Sequence, residues 1–243
     1  MAGMSSDTPL YKGVKELLTQ AIRDGEWRPG AAIPSERLLS SRFKVAVGTL
    51  RKAVDELVAE NILIRQQGRG TFVAAHNRDR MMFHFFHIVG ENDAKQTPDV
   101  EMREFAVGKA DRHEARRLGV AAGAKVFRIV NVIKLSGVPV IRDQITIAQS
   151  LFPKMTAARF KNRPNTIYHL YQSEFGVNVV RTAERLRATP ADAETARTLG
   201  IDKGTPLLEI RRVALSFHDK PVEYRRSLVN TAHHEYFSDL AKI

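Results

Sequence analysis

The 243-residue chain contains no cysteine, which excludes disulfide bridges, thiolate metal sites and cysteine nucleophiles together. No run approaches the roughly 20 apolar residues that a membrane-spanning helix needs. The opening segment MAGMSSDTPLYKG has no apolar centre of the kind a secretory signal carries. These absences predict a cytoplasmic protein with no membrane partner. G-x-S-x-G, H-E-x-x-H and a phosphate-cradling glycine loop are also missing, so neither catalysis nor a cofactor is expected. His84 and His87 fall in the run Phe83-His84-Phe85-Phe86-His87. A strand would turn them to opposite sides, so no shared metal site is expected there, nor at His233-His234.

The apolar share of 43% suffices for real cores, and the length fits two domains of ordinary size. The net charge of +11 suits a polyanionic partner, since each phosphate contact releases counterions. Charge does not locate that partner, however. Residues 1–75 hold eleven basic against eight acidic side chains, which leaves most of the excess beyond them.

Order along the chain is more telling. From about Tyr11 to Asp24, Val14, Leu17, Leu18, Ala21 and Ile22 recur at helical spacing. Asp24-Gly25 ends that helix, and Trp27-Arg28-Pro29-Gly30 makes a turn. Pro34-Ser35 opens a second helix, with Ser35 as N-cap and Leu38, Leu39 and Phe43 as its buried stripe. After the turn Lys44-Val45-Ala46, a third helix carries Leu50, Ala53, Val54, Leu57 and Val58 on one face. Thr49, Arg51, Lys52 and Asp55 lie on the other. Ile62–Gln66 and Thr71–Val73 read as two strands joined by Gln67-Gly68-Arg69-Gly70. A helix, a turn, a second helix and a basic Gly-rich hairpin form the order of a winged helix-turn-helix.

These residues resemble the N-terminal domain of the GntR family of bacterial transcription regulators. The matching pieces are PLY at Pro9, the G-x-x-x-P-G turn at Gly25, PSER at Pro34, LRKA at Leu50 and QGRGTFV at Gln67. The resemblance implies that the start of the third helix enters the major groove while the wing approaches the minor groove. Carried over by position, Arg37, Thr49 and Arg51 become groove or phosphate contacts, Lys52 a phosphate contact, and Gln67, Gly68 and Arg69 the wing. Arg51 is the candidate base reader, because a guanidinium grips guanine bidentately. The alternative for each basic residue is a solvated helix face. Many members carry Ser-Arg or Thr-Arg where this chain has Ala46-Val47, so the operator need not follow the common family consensus. Val47 can instead meet a thymine methyl.

His76 to Arg80 is short and polar and reads as a linker, giving a DNA-binding domain over 1–76, a linker over 77–80 and a second domain over 81–243. That second part repeats itself. ADRHEARRLGVAAGAKVFRIVNVIKLSGVPVIRDQI starts at Ala110, and ADAETARTLGIDKGTPLLEIRRVALSFHDKPVEYRR starts at Ala191. Ala115 and Ala196, Leu118 and Leu199, and Gly119 and Gly200 keep one offset, and an extra residue in the second hairpin sets Pro139 against Pro221. Each unit reads as helix, Leu-Gly turn, strand, tight turn and returning strand. Two such units predict an α+β domain built on one antiparallel sheet with pseudo-two-fold symmetry.

On the strands, Asn131 interrupts an apolar face made by Ile129, Ile133 and Leu135, and Asp143 does so among Ile141, Ile145 and Ile147. Arg212 and Arg225 hold the equivalent positions in the second unit. Such groups need partners, since an unpaired buried polar group costs on the order of 1–3 kcal/mol. They either line a ligand pocket or form an internal network joining the repeats, such as Asp143–Arg225.

This half is similar to the UTRA effector-binding domain of the HutC-type branch of the GntR family. The two Leu-Gly units, both hairpins and Thr166-Ile167-Tyr168-His169-Leu170 carry the likeness. It implies a chorismate-lyase-like fold that binds a small molecule, and it matches Asp143, Tyr168 and Glu223 to family positions; with Asn131, Arg212 and Arg225 from the strand pattern, these are the expected pocket residues. Phosphosugar-binding members commonly place Arg-x-Arg where this chain has Asn131-Val132-Ile133, and a Tyr where it has Val229. The effector implied is less charged and more apolar than a phosphosugar.

The resulting expectation is a ligand-responsive repressor that binds a near-palindromic double-stranded DNA operator as a homodimer, with a small-molecule effector and no metal or cofactor. The competing reading is an enzyme using the lyase-like fold on a small organic acid, which would require a matched acid–base set in the pocket. A nonspecific architectural DNA protein would require basic tails or repeats, and neither is present.

Overall fold

The computed structural model describes residues 9–77, 81–82, 84–91 and 96–238, and these fall into two compact units divided after His76. Arg78, Asp79 and Arg80 of the expected linker, and Phe83, lie outside the described residues. His76 itself is buried, so the polar segment does not begin at that residue.

In the first unit, α1 (Leu10–Arg23), α2 (Glu36–Phe43) and α3 (Val47–Ala59) precede a hairpin of β1 (Leu63–Gln66) and β2 (Gly70–Val73). Val14, Leu18 and Ile22 of α1 are buried, as are Leu50, Ala53, Val54 and Leu57 of α3, and the two helices pack together. Burying an aliphatic side chain contributes about 1.5–3 kcal/mol, so this seam dominates the small core. Lys15 of α1 ties down its edge through Glu56 at 2.9 Å and Glu60 at 2.5 Å. The Ser35 side chain accepts the Leu38 N–H at the start of α2, and Lys44 ends that helix in the left-handed region, φ 54°. Two assignments of the apolar stripes need correction. Leu17 and Leu38 are 53% and 65% exposed, because each helix is buried along a narrower seam than its apolar content suggests.

The hairpin is antiparallel, with Leu63 opposite Val73 and Gln66 opposite Gly70. Gly68 and Gly70 take φ of 71° and 115°, which a side chain would oppose. The Gly30–Ile33 segment extends the wing: the Gly30 N–H donates to the Val73 carbonyl and the Ile33 N–H to the Thr71 carbonyl.

The second unit is built on a six-stranded antiparallel sheet. Its strands are β4 (Asp99–Lys109), β5 (Lys125–Leu135), β6 (Val138–Ala148), β7 (Arg181–Pro190), β8 (Pro206–Leu215) and β9 (Pro221–Val229), in the order β4-β5-β6-β9-β8-β7. The repeat is therefore longer than its sequence signature. Each copy begins with an edge strand, β4 or β7, before its helix, α4 (Arg112–Leu118) or α7 (Ala193–Leu199). Asp111 and Asp192 cap the two helices, the former in a reciprocal capping box with Glu114. Gly119 and Gly200 end them at φ 63° and 69°. The copies join through β6 and β9 at the sheet centre, where Asp143 faces Ser227 and Ile145 faces Arg225.

The helices α4 and α7 cover one face of the sheet, where Leu118 packs with Val126 and Tyr224, and Leu199 with Leu207 and Leu228. The opposite face carries the main core. There α5 (Ala157–Lys161) and α6 (Ile167–Phe175) bring Phe160, Tyr168 and Tyr171 against Phe127, Ile129, Ile145 and Ile147. A small pair, β3 (Ile88–Gly90) with β10 (His234–Tyr236), completes the unit. Met81, Met82 and His84 are helical, so the aromatic run does not start as the strand expected there. Among the described residues no group of three or more His, Asp or Glu side chains could hold a metal ion.

Candidate nucleic-acid interface and ligand cavity

The exposed side of α3 is the first site. Its N-cap residue, Ala46, offers no side chain to the helix, and the first turn holds no acid. The free N–H groups and the positive end of the helix dipole thus remain available to a phosphate. Arg51 stands out from this turn, its side chain 61% exposed, with Nε 2.9 Å from Glu36. That contact leaves both terminal nitrogens to meet a base edge. Glu36 also accepts from Arg65 at 3.1 Å, so one carboxylate steadies an arginine from the helix and one from the wing. Sequence reasoning passed over Arg65 because a strand charge followed by a turn carries no motif signal. Lys52 Nζ lies 4.2 Å from the Tyr11 ring centre, and the Arg69 guanidinium sits 5.9 Å from that of Phe72. Arg37, Gln67 and Gly68 are exposed and Thr49 is half-buried. Val47 is 39% exposed at the helix start.

The second site is a cavity of about 410 Å³ in the second unit, within the size range of small-molecule sites. Asn131, Asp143, Tyr168, Arg212 and Arg225 all line it. Asn131 faces Asp143 across β5–β6, and Arg212 faces Arg225 across β8–β9. The two readings of these residues are thus compatible: they form an internal network and they wall a cavity. Arg225 Nη1 donates to Asp143 Oδ2 at 3.1 Å, and Arg225 Nε to Glu223 Oε1 at 2.9 Å. Arg212 pairs with Glu184 and donates to the Phe85 carbonyl at 2.5 Å.

Glu223 requires a correction. It is fully buried and absent from the cavity wall. It accepts from Arg225, from the Tyr171 hydroxyl at 2.8 Å and from the Tyr168 hydroxyl at 3.4 Å. Glu223 and Arg225, two residues apart, share one face of the strand, and Glu223 ends in the tyrosine core of that face, from where it holds Arg225 and Tyr168 of the wall. Burial and the Glu223 charge push the Tyr168 phenol up to about 12, and the Tyr171 phenol is also well raised. Both remain hydrogen-bond donors at any physiological pH.

Arg163 and Lys161 line the cavity as well, and sequence reasoning missed both. They sit at the end of α5 and in the loop before α6, where no periodicity marks a face. Arg163 Nη1 donates to the Phe160 carbonyl at 2.5 Å, and its guanidinium lies 4.6 Å from the centre of that ring. Burial, with repulsion from Arg225, pushes its pKa below the usual arginine value.

A winged helix with a basic reading head, joined in one chain to an α+β unit holding a metabolite-sized cavity, defines a ligand-responsive transcription regulator. Comparison with known proteins agrees. Residues 10–73 match the model of bacterial regulatory proteins of the gntR family, and residues 93–235 match the UTRA domain. The histidine utilization repressor of Klebsiella aerogenes is 31% identical over 214 residues, 86% of this chain and 85% of that protein. The repressor NagR of Bacillus subtilis is 25% identical over 224 residues, 92% of this chain and 91% of that one. Among solved structures, the ligand-binding domain of a GntR-family regulator from Bordetella bronchiseptica is 30% identical, with a TM-score of 0.63. It covers 65% of this chain and 98% of that chain. PhnF from Mycobacterium smegmatis is 26% identical, with a TM-score of 0.55, covering 93% of this chain and 98% of that chain. The chain belongs to the GntR family, in its HutC-type branch with a UTRA domain. It is a DNA-binding transcription regulator and not an enzyme.

Proposed function

We propose that the chain is a cytoplasmic repressor that binds a near-palindromic operator as a homodimer and changes its operator affinity when a small metabolite fills the cavity. The observation that carries this reading is the cavity wall, contributed by both repeats and holding buried polar groups on an otherwise apolar sheet face. Residues 1–76 read DNA, residues 77–80 link, and residues 81–243 bind effector and dimerise. Arg51 reads a base, while Arg37, Thr49, Lys52 and the wing residues Gln67, Gly68 and Arg69 hold the backbone and the minor groove. Asn131, Asp143, Tyr168, Arg212 and Arg225 contact the effector.

The effector is not a phosphosugar. Two of the cavity arginines are already matched by Asp143, Glu184 and Glu223, and Asp143 would repel a phosphate dianion. A ligand shifts the equilibrium only if it binds the DNA-competent and DNA-incompetent states unequally. Fluorescence anisotropy on operator DNA tests this. A metabolite that stabilises the protein should change operator affinity, and Asp143→Ala should remove that response. A normal response in the variant would contradict the assignment.

A further inference from the structure

The unpaired atoms of the cavity wall indicate which groups the effector carries. Asn131 and Asp143 are each 1% exposed, and each keeps a buried Oδ1 with no hydrogen-bond partner among the described residues. Asp143 uses only its other oxygen, towards Arg225. The two residues stand opposite one another on β5 and β6 and both line the cavity, so neighbouring residues of its wall each hold a buried, unused acceptor. A dry acceptor is costly and native structures retain few. Its natural complement is a donor with several hydrogens, and an ammonium group can serve both oxygens while meeting the Asp143 charge.

Elsewhere on the wall the imbalance reverses. Among the described residues, the buried Arg163 Nε has no partner and no carboxylate lies within ion-pair distance of Arg163. Arg212, by contrast, has one and Arg225 has two. Exposed Lys161 and Asp99 also line the cavity and oppose each other in charge. Arg163 is thus the uncompensated cation, and a carboxylate is its planar complement. Phe85, Phe86, Ile133 and Ile167 supply apolar lining.

Resting on the effector-site reading, we propose that the ligand is a small zwitterion of the amino-acid class, its ammonium held by Asn131 and Asp143 and its carboxylate by Arg163. Net neutrality distinguishes it from sugar phosphates and from simple acids. The two ends are recognised separately, so each can be removed chemically from the ligand and genetically from the protein.

The test uses the full chain, thermal shift followed by calorimetric titration, and a panel of free amino acids, their amides, their N-acetyl derivatives and glucose 6-phosphate. At least one free amino acid should bind, and amidation or N-acetylation should each weaken it on the order of tenfold or more, about 1.4 kcal/mol. In Arg163→Gln the penalty for amidation should vanish while that for acetylation persists. In Asp143→Asn, or in Asn131→Ala should the first fail to fold, the penalty for acetylation should shrink instead. Val100→Trp, which fills the cavity from its edge strand, should abolish binding. If no free amino acid binds at millimolar concentration, the zwitterion class is wrong. It is equally wrong if glucose 6-phosphate binds and Val100→Trp removes that binding, though the cavity would then stand as the effector site. A zwitterion whose binding ignores every one of these substitutions would overturn both.

Discussion

Asp143 and Arg225 hold equivalent positions in the two repeats, and they meet in an ion pair of 3.1 Å across the join of β6 and β9. A position duplicated by symmetry has thus been given opposite charges in the two copies. The pair is asymmetric in its surroundings, because Arg225 also holds Glu223 while among the described residues Asp143 pairs with Arg225 alone. Arg225→Ala would leave two buried carboxylates uncompensated and should cost about 3–5 kcal/mol. Asp143→Ala leaves Arg225 with Glu223 and should cost about 1–3 kcal/mol. Urea midpoints of the two variants check the order. A costlier Asp143 variant would mean that the network is organised differently.

Arg51 and Lys52 are adjacent but should behave differently. Arg51→Ala should lose about 1–3 kcal/mol of operator affinity and relax preference at one base pair per half-site. Lys52, held 4.2 Å from the Tyr11 ring centre, should affect all sequences alike, so Lys52→Ala should flatten the salt dependence. Binding selections with each variant check this, and an unchanged base preference for Arg51→Ala would remove its reading role.

On the helix-covered face of the sheet, Glu209 is fully buried and receives Arg187, Arg211 and Arg226. Burial alone would raise its pKa, but these partners outweigh it and hold the carboxyl at about 2. Because the folded value lies below the unfolded one, the stabilisation is complete above the ordinary carboxylate range near 4.5 and is lost as pH falls towards 2. Glu209→Gln should lower stability at neutral pH by about 1–3 kcal/mol and narrow the gap from the parent protein on acidification. Denaturant titrations at stepped pH would reveal a constant gap if the account is wrong.

The DNA-binding unit should fold alone. Its core closes within residues 9–77, and the buried His76 places the useful cut after that residue. A fragment of residues 1–77 should give a cooperative thermal transition and select the same half-site more weakly than the full chain. Loss of helicity in the fragment would refute the boundary.

The winged helix was legible because its signals are local: Ser35 as cap, Lys44 at the turn, and glycines where the wing tip needs positive φ. The repeat was legible because two copies confirm each other. The edge strands β4 and β7 were not, since charged residues such as the half-buried Glu101 and the exposed Arg185 and Arg187 hide their alternation. Strand parity put Asn131, Asp143, Arg212 and Arg225 on one wall, and the family resemblance added Glu223, which shares that face. Parity assigns a face and cannot separate a side chain that fills the core from one that meets a cavity. Arg163 escaped notice because a loop has no period to read.

The most direct test of the central claim is selection of DNA from a random pool by the purified full chain. The account predicts enrichment of an inverted repeat, with base preference at the positions Arg51 reaches and an affinity that changes when the cavity ligand is added. Recovery of unenriched DNA, bound with the same strong salt dependence whatever its sequence, would contradict it.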